Sequence, residues 1–243
     1  MSNITITAPP GGWAPPWPIV VEVAQVLPVG SWVLVGGLMV QLHARSAGVG
    51  VIRPTDDVDA LIDVMAEGVT VSSVADRLRD RGFVIVEPGW ENSPAHRFQR
   101  GRDVIDLLVA DHLPNHKRPR LAGRPAMAAD GGAQALARTE RVTVIDGEAV
   151  VVLSIPDRLG ALVLKAAAYA ADSRDRERHL RDGALLAALI TDHRTELARL
   201  QGSDRKRLRR LCDALADPMN DAWLLLPDNL RQQGQDTLRI LSE

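Results

Sequence analysis

Two short segments carry most of the information in this sequence: Trp32-Val33-Leu34-Val35-Gly36-Gly37 and, nineteen residues further on, Asp57-Val58-Asp59. The β-branched run before the glycines is typical of a buried strand, and the spacing from Leu38 to Arg45 predicts a helix that opens directly from them. The alternating run 57–63 predicts a second strand. The predicted order is therefore strand, glycine pair, helix, strand.

The two aspartates should face the same side of their strand, because alternate strand residues point the same way. Two carboxylates at such a short separation repel each other unless a cation lies between them. Their hard oxygen ligands suit Mg²⁺ or Mn²⁺. Gly36 and Gly37 would let the backbone approach a phosphate at the helix N-terminus. A metal and a phosphate cradle are the minimum set for phosphoryl or nucleotidyl transfer. The structural alternative is a turn beside a solvated acidic strand edge.

Three charged residues further along lie in apolar surroundings. Asp106 lies within Val104-Ile105-Asp106-Leu107-Leu108, where an unpaired charge would be costly, so a metal-binding or catalytic role is favoured. Lys165 lies in an apolar Leu/Val/Ala helix and needs a partner, which a triphosphate or Asp182 would provide. The alternatives are a lysine that snorkels at the helix edge and an Asp182 that faces solvent.

This arrangement resembles the nucleotidyltransferase superfamily that includes DNA polymerase β. The pattern of that superfamily is a hydrophobic residue with Gly-Gly or Gly-Ser, a helix, Asp-hydrophobic-Asp/Glu, and a third carboxylate on a later strand, which Asp106 matches. More narrowly, Arg53-Pro54-Thr55-Asp56-Asp57-Val58-Asp59 is similar to the Arg-x-Thr-x-Asp-x-Asp signature of the AbiEii-like toxins of type IV toxin–antitoxin systems. Lys165 and Asp182 match the later signature of these toxins, a helix with Lys followed by a helix with Asp. The insertion-like stretch 44–51 and the acidic Asp56 depart from it.

The resemblance implies a complete set of site residues. The catalytic residues would be Asp57, Asp59, Asp106, Lys165 and Asp182, and the metal ligands for Mg²⁺ or Mn²⁺ would be Asp57, Asp59 and Asp106. The nucleoside triphosphate would be bound by Gly36, Gly37, Arg53, Thr55 and Lys165. Arg53 and Thr55 are equally well explained as turn residues beside a proline. His43 and His179 lie near this set, and packing explains them better than a role as a base.

The resemblance also suggests an acceptor. A toxin-like enzyme would transfer a nucleoside monophosphate to tRNA or another RNA 3′ end and would be neutralised by a cognate antitoxin protein. At least one of the basic clusters 116–120, 174–181 and 205–210 would contact the RNA, although the last lies on a predicted helix and is typical of a solvated face. The alternatives are a small-molecule acceptor, as in aminoglycoside-modifying relatives, and a non-catalytic module of the same fold that binds a nucleotide or a partner.

The chain of 243 residues predicts an α/β (α+β) fold, a mixed sheet flanked by helices and followed by a helical part. We expect a nucleotidyltransferase domain over 1–155 and an α-helical C-terminal domain over 156–243. Residues up to Pro18 read as an irregular arm, and 111–130 as irregular chain. Strand pairs at 96–100 with 104–109 and at 142–145 with 149–153 predict two hairpins.

Composition excludes several classes of protein. The net charge of -2 gives no general attraction for nucleic acid, so any such contact must be local. The single cysteine excludes an intrachain disulfide framework and a cysteine-built zinc site. The sequence shows no signal peptide and no apolar run long enough to span a membrane, so we expect a soluble, cytoplasmic protein that does not contact membranes.

Overall fold

The computed structural model of the protein describes residues 4–9, 11–50, 53–90 and 93–243, so Val51, at the end of the stretch 44–51, lies outside the described residues. The strands are β1 (Ile4–Thr7), β2 (Trp32–Val35), β3 (Asp57–Ile62), β4 (Val84–Ile85), β5 (Arg97–Arg100), β6 (Asp103–Ala110), β7 (Arg120–Leu121), β8 (Arg124–Pro125), β9 (Met127–Ala129), β10 (Thr139–Asp146) and β11 (Ala149–Pro156). The helices are α1 (Trp17–Val26), α2 (Gly36–Ser46), α3 (Val71–Arg79), α4 (Gly132–Leu136), α5 (Arg158–Ala171), α6 (Arg176–Ala188), α7 (His193–Arg199), α8 (Asp204–Ala214), α9 (Asp221–Leu224) and α10 (Asp228–Ser242). A single 3₁₀ turn covers Asn115–Lys117.

A six-stranded mixed sheet forms the centre of the first part of the chain. Its order is β2-β3-β6-β5-β4, with β9 added alongside β6. The strands β3 and β6 run parallel, whereas β2 and β5 run antiparallel to them. The predicted mixed sheet with flanking helices is therefore confirmed, including the hairpin of β5 and β6.

The register of this sheet brings distant acidic residues to one point. Asp59 lies opposite Asp106 in the parallel pair of β3 and β6. On its other side, Asp59 lies opposite Val35, the last residue of β2. Because α2 begins at the next residue, Gly36, the sheet places the start of this helix beside Asp59.

A second, three-stranded sheet has the order β1-β10-β11. The strands β10 and β11 form the second predicted hairpin, and β1 pairs with β10 in parallel. The opening segment is therefore not wholly irregular as predicted, because Ile4–Thr7 finds a distant partner strand. Trp13 and Trp17 pack against each other with ring centroids 4.5 Å apart, and both are buried.

Helices make up the chain after Pro156. Asp157 caps α5 by accepting a hydrogen bond from the backbone N–H of Gly160, as a helix N-cap should. The C-terminal helix α10 packs against α6 and α8. Gly234 allows this close packing, since a Cβ there would lie 2.6 Å from the Trp223 ring. The helical C-terminal region is confirmed, whereas its division from the sheet at 155/156 as a separate domain stays a prediction.

Two details differ from the sequence prediction. The stretch 111–130 is not wholly irregular, because it contains the 3₁₀ turn and the short strands β7, β8 and β9. The helix α10 was not predicted. In the part of the chain that the structure describes, no helix combines the length and the apolar character that a membrane span requires.

Candidate metal and nucleotide site

Three carboxylates meet where β3 and β6 lie side by side. One oxygen from each of Asp57, Asp59 and Asp106 lies within 4.8 Å of the other two. Asp57 and Asp59 are partly exposed, and Asp106 is 7% exposed, so the cluster is open on the β3 side and closed behind. An all-oxygen donor set of this size fits a hard divalent cation, although it does not identify the metal.

The glycine pair is explained by its contact with this cluster. Gly36 has a φ of +71°, and a Cβ at this position would lie 1.7 Å from Oδ2 of Asp59. A Cβ at Gly37 would lie 2.9 Å from the side chain of Thr55. No side chain fits between the start of α2 and the carboxylates, so the backbone of the helix's first turn reaches the acidic cluster directly.

Thr55 orients one of the three carboxylates. Its Oγ1 donates a hydrogen bond of 3.0 Å to Oδ1 of Asp57. This contact places Thr55 within the predicted site as a support for Asp57. A role in binding phosphate stays a prediction.

A buried network links the segment before β3 to the helices. Arg53 donates from Nε and Nη2 to the two carboxylate oxygens of Asp182, each at 3.1 Å. Lys165 Nζ lies 2.7 Å from Oδ2 of the same carboxylate. Lys165 and Asp182 are 4% and 3% exposed, which excludes a snorkelling lysine and a solvent-facing aspartate. Burial would raise the pKa of Asp182, but Lys165 and Arg53 outweigh it and hold that pKa below its usual range.

The surroundings of Asp59 raise its pKa. Desolvation and the neighbouring charges of Asp57 and Asp106 raise the pKa of Asp59 to about 7, although Lys165 and Arg178 oppose the shift. Mutual repulsion of this kind is relieved by a proton or by a bound cation. The cluster is therefore electrostatically suited to exchange a proton for a metal ion.

Arg97 is a residue of this site that the sequence prediction missed. From β5 it donates to both oxygens of Asp106, with Nε at 2.9 Å and Nη2 at 2.8 Å. Nη2 also lies 3.8 Å from Oδ2 of Asp57. Arg97 is therefore a charged partner for Asp106 within the protein, and the metal-binding or catalytic role of Asp106 stays a prediction. The predicted hairpin of β5 and β6 could have identified Arg97. Counting back along both strands from the turn between Arg100 and Asp103 places Arg97 opposite Asp106.

His43 and His179 each have a hydrogen-bond partner within the protein. His43 is buried and its Nε2 lies 2.9 Å from the carbonyl oxygen of Pro156. His179 lies 3.2 Å from Asp172, which also pairs with Arg178. Desolvation lowers the pKa of both histidines to about 4, so neither is charged near neutral pH.

The basic clusters are partly used within the protein. Arg178 pairs with Asp172, Arg176 stacks on Tyr169, and Arg207 pairs with Asp111. His116, Lys117, Arg118 and Arg120 are exposed. Arg178 also acts on the carboxylate cluster, because its positive charge opposes the rise in the pKa of Asp59.

A groove of about 1020 Å³ lies elsewhere, between β1, the end of α2 and the residues Glu140, Asp157 and Arg199. None of the predicted site residues lines it. Among the described residues, the carboxylate cluster is the better candidate because it joins metal-ligand geometry to the raised pKa of Asp59.

Comparison with known structures agrees with the observed topology. The fold resembles the crystal structure of an antigenic nucleotidyltransferase-like protein from Paracoccidioides brasiliensis, with a TM-score of 0.51 and 18% sequence identity. The match covers 82% of this chain and 88% of that chain. No protein-family model matches this chain, and no curated protein matches it. The likeness establishes a nucleotidyltransferase-like fold, and the AbiEii-like branch stays a prediction.

Proposed function

We propose that this protein is a metal-dependent nucleotidyltransferase. The observation that carries the proposal is the meeting of Asp57, Asp59 and Asp106 beside the first turn of α2, where only glycine fits. If the acidic residues of β3 merely faced solvent, they would not need to lie so close to the first residue of α2. The nucleotidyltransferase-like fold supports the same conclusion.

Each part of the site has a role in this reaction. Asp57 and Asp59, with Asp106 beside them, would hold a divalent ion, which supplies positive charge to phosphate oxygens. Gly36 and Gly37 begin α2, whose free N–H groups and positive end suit the triphosphate. Thr55 orients Asp57, and the Arg53–Asp182–Lys165 network leaves one net positive charge in the wall of the cleft.

The proposed step is an in-line displacement. An acceptor hydroxyl attacks the α-phosphorus, and a new phosphorus–oxygen bond forms as the bond from that phosphorus to the bridging oxygen breaks. Pyrophosphate leaves with the electron pair of the broken bond. The hydroxyl proton passes to a carboxylate of the cluster. Asp106 is the candidate, and Arg97 would have to release one of its oxygens for this step.

We further propose Mg²⁺ as the metal, RNA and in particular tRNA as the acceptor, and a toxin–antitoxin role in the cytoplasm. Exposed basic residues at 116–120 and Arg178 beside the site support a polyanionic acceptor over a small one. In the same proposal, the helical part from 156 onwards is a second domain that closes the cleft over the nucleotide.

The test is incubation of the protein with Mg²⁺, total tRNA and each α-labelled nucleoside triphosphate in turn. Asp57→Asn removes one charge from the cluster, and Asp56→Asn is the matched control because Asp56 is its exposed neighbour outside the cluster. We expect label on RNA with the unmodified protein and Asp56→Asn, and a loss of at least about 100-fold with Asp57→Asn.

The remaining outcomes separate the alternatives. Label on an added aminoglycoside or another small molecule, but not on RNA, would move the acceptor to that class. Metal-dependent binding of triphosphate without transfer to any acceptor would identify a binding module. Equal labelling by Asp57→Asn and the unmodified protein would overturn the proposed site.

A further inference from the structure

Arg97 lies where a cation interacts with the same carboxylates that would hold the metal. Its guanidinium makes two hydrogen bonds to Asp106, and its Nη2 approaches Asp57 to 3.8 Å. The side chain is 43% exposed, whereas that of Asp106 is 9% exposed. Arg97 therefore covers the buried carboxylate from the solvent side.

Arg97 and Asp106 form a bidentate pair, in which two guanidinium nitrogens donate to the two carboxylate oxygens. Arg97 and Asp106 are directly opposite each other on β5 and β6, so the strand register fixes both side chains on one face. Bidentate arginine–carboxylate pairs are among the stronger charge-assisted hydrogen bonds. The hydrogen bond from Arg97 to Asp106 also raises the pKa of Arg97, which keeps it charged at every pH of interest.

The charges around the cluster set how many ions it can hold. When all three carboxylates are ionised, the one guanidinium beside them leaves two negative charges, which a single divalent ion neutralises. A second divalent ion would then meet Arg97 as a like charge, with Asp106 already engaged. Like charges a few ångströms apart in a partly desolvated site oppose binding strongly.

We propose that Arg97 is a built-in cation that limits the nucleotide-free protein to one divalent ion, held by Asp57 and Asp59. This inference rests on the proposed function, because it assumes that the cluster binds a divalent ion. It makes Arg97 a positioning residue, which acts through Asp106. A second ion enters only when Arg97 releases that carboxylate.

The experiment counts bound ions rather than activity. Mn²⁺ is titrated into the nucleotide-free protein, and the free ion is followed by electron paramagnetic resonance. We expect one Mn²⁺ per chain for the unmodified protein and for Arg97→Lys, which keeps the charge. Arg97→Gln should gain a second site or bind its first ion about tenfold more tightly.

Asp106→Asn tests the same idea without removing the arginine. If Asp57 and Asp59 hold the ion, this variant should still bind one Mn²⁺, but about tenfold more weakly, because one negative charge beside Arg97 is lost. Arg100→Gln is the matched control, because Arg100 is on the same strand but pairs with Glu22 and Asp103. It should bind one ion, and circular dichroism should show that every variant is folded.

The outcomes separate this inference from the proposed function. Two ions on the unmodified protein, an unchanged Arg97→Gln, or no Mn²⁺ bound to a folded Asp106→Asn would each overturn the role of Arg97. All three results leave a metal-binding site in place. No bound Mn²⁺ on the unmodified protein would overturn the proposed metal dependence as well.

Discussion

At the scale of single residues, Gly36 has the tightest contact in the site. Gly36→Ala would place a Cβ 1.7 Å from Oδ2 of Asp59, at a φ of +71°. We expect a loss of about 3 kcal/mol or more in the free energy of unfolding, together with weaker Mn²⁺ binding. Urea unfolding and a Mn²⁺ titration measure the two effects.

Gly48→Ala separates the two causes of this loss, which are the contact with Asp59 and the positive φ of the backbone. Gly48 has a similar φ of +69°, but an added Cβ there would have no atom of the described residues within 4 Å. It should cost only about 1 kcal/mol, the price of the backbone conformation. Equal losses in the two variants would mean that the contact with Asp59 is unimportant.

The raised pKa of Asp59 predicts an unusual dependence of the free energy of unfolding on pH. Its folded pKa of about 7 lies above the value near 4 that an unfolded carboxyl has, so the folded state holds the proton more tightly. The contribution of this proton to stability is complete below about pH 4 and is lost as pH rises to about 7. Without metal, we expect the free energy of unfolding to fall by about 1–3 kcal/mol over this range.

Asp59→Asn is the variant that tests this effect, because it removes the ionisation and keeps the shape. In EDTA at about pH 8, its melting temperature should exceed that of the unmodified protein. Added Mg²⁺ should stabilise only the unmodified protein, and more at about pH 8 than at about pH 5. A lower melting temperature for Asp59→Asn in EDTA would contradict the raised pKa.

At the scale of elements, the Arg53–Asp182–Lys165 network holds α5, α6 and the segment before β3 together. Asp182→Asn leaves Lys165 buried without a charged partner and should cost about 3 kcal/mol or more. Lys165→Met leaves Asp182 with both hydrogen bonds from Arg53 and should cost about 1–2 kcal/mol. Urea unfolding gives both values.

The order of these two losses is the informative result. Asp213→Asn, on the exposed face of α8, is the control and should change the free energy of unfolding by less than about 0.5 kcal/mol. A larger loss for Lys165→Met than for Asp182→Asn would show that Lys165, and not Asp182, is the centre of the network.

The elements near the glycine pair could be predicted from the sequence because their signals are local. The strand before Gly36, the alternation of 57–62 and the hairpin of β5 and β6 each depend on neighbouring residues. The pairing of Arg53 with Asp182 spans 129 positions and depends on how α6 packs, which no local pattern contains. Helix α10 was not predicted, because small or polar residues, Gly234, Thr237 and Ser242, take three of its five buried positions and give no apolar signal there.

At the scale of the whole molecule, one buried apolar cluster includes residues from Ile6 to Leu241. Helix α2 of the first part packs against α5 and α6 of the helical part. A shared core of this kind predicts a single cooperative unfolding transition, even if the chain comprises the two proposed domains.

Two probes test this prediction in one urea titration. Tryptophan fluorescence reports on Trp13, Trp17 and Trp32 in the first part and on Trp223 in the second, and far-ultraviolet circular dichroism reports mainly on the helices. The two curves should coincide. Separate midpoints would instead support two domains that unfold independently.

The pairing of β1 with β10 has a consequence for synthesis on the ribosome. Ile4 lies opposite Val142, so the first strand emerges long before its partner exists. At translation rates of roughly 5–20 residues per second, the delay is on the order of 7–28 seconds. During that interval the apolar residues Ile4 and Ile6 have no sheet to join and stay exposed to solvent.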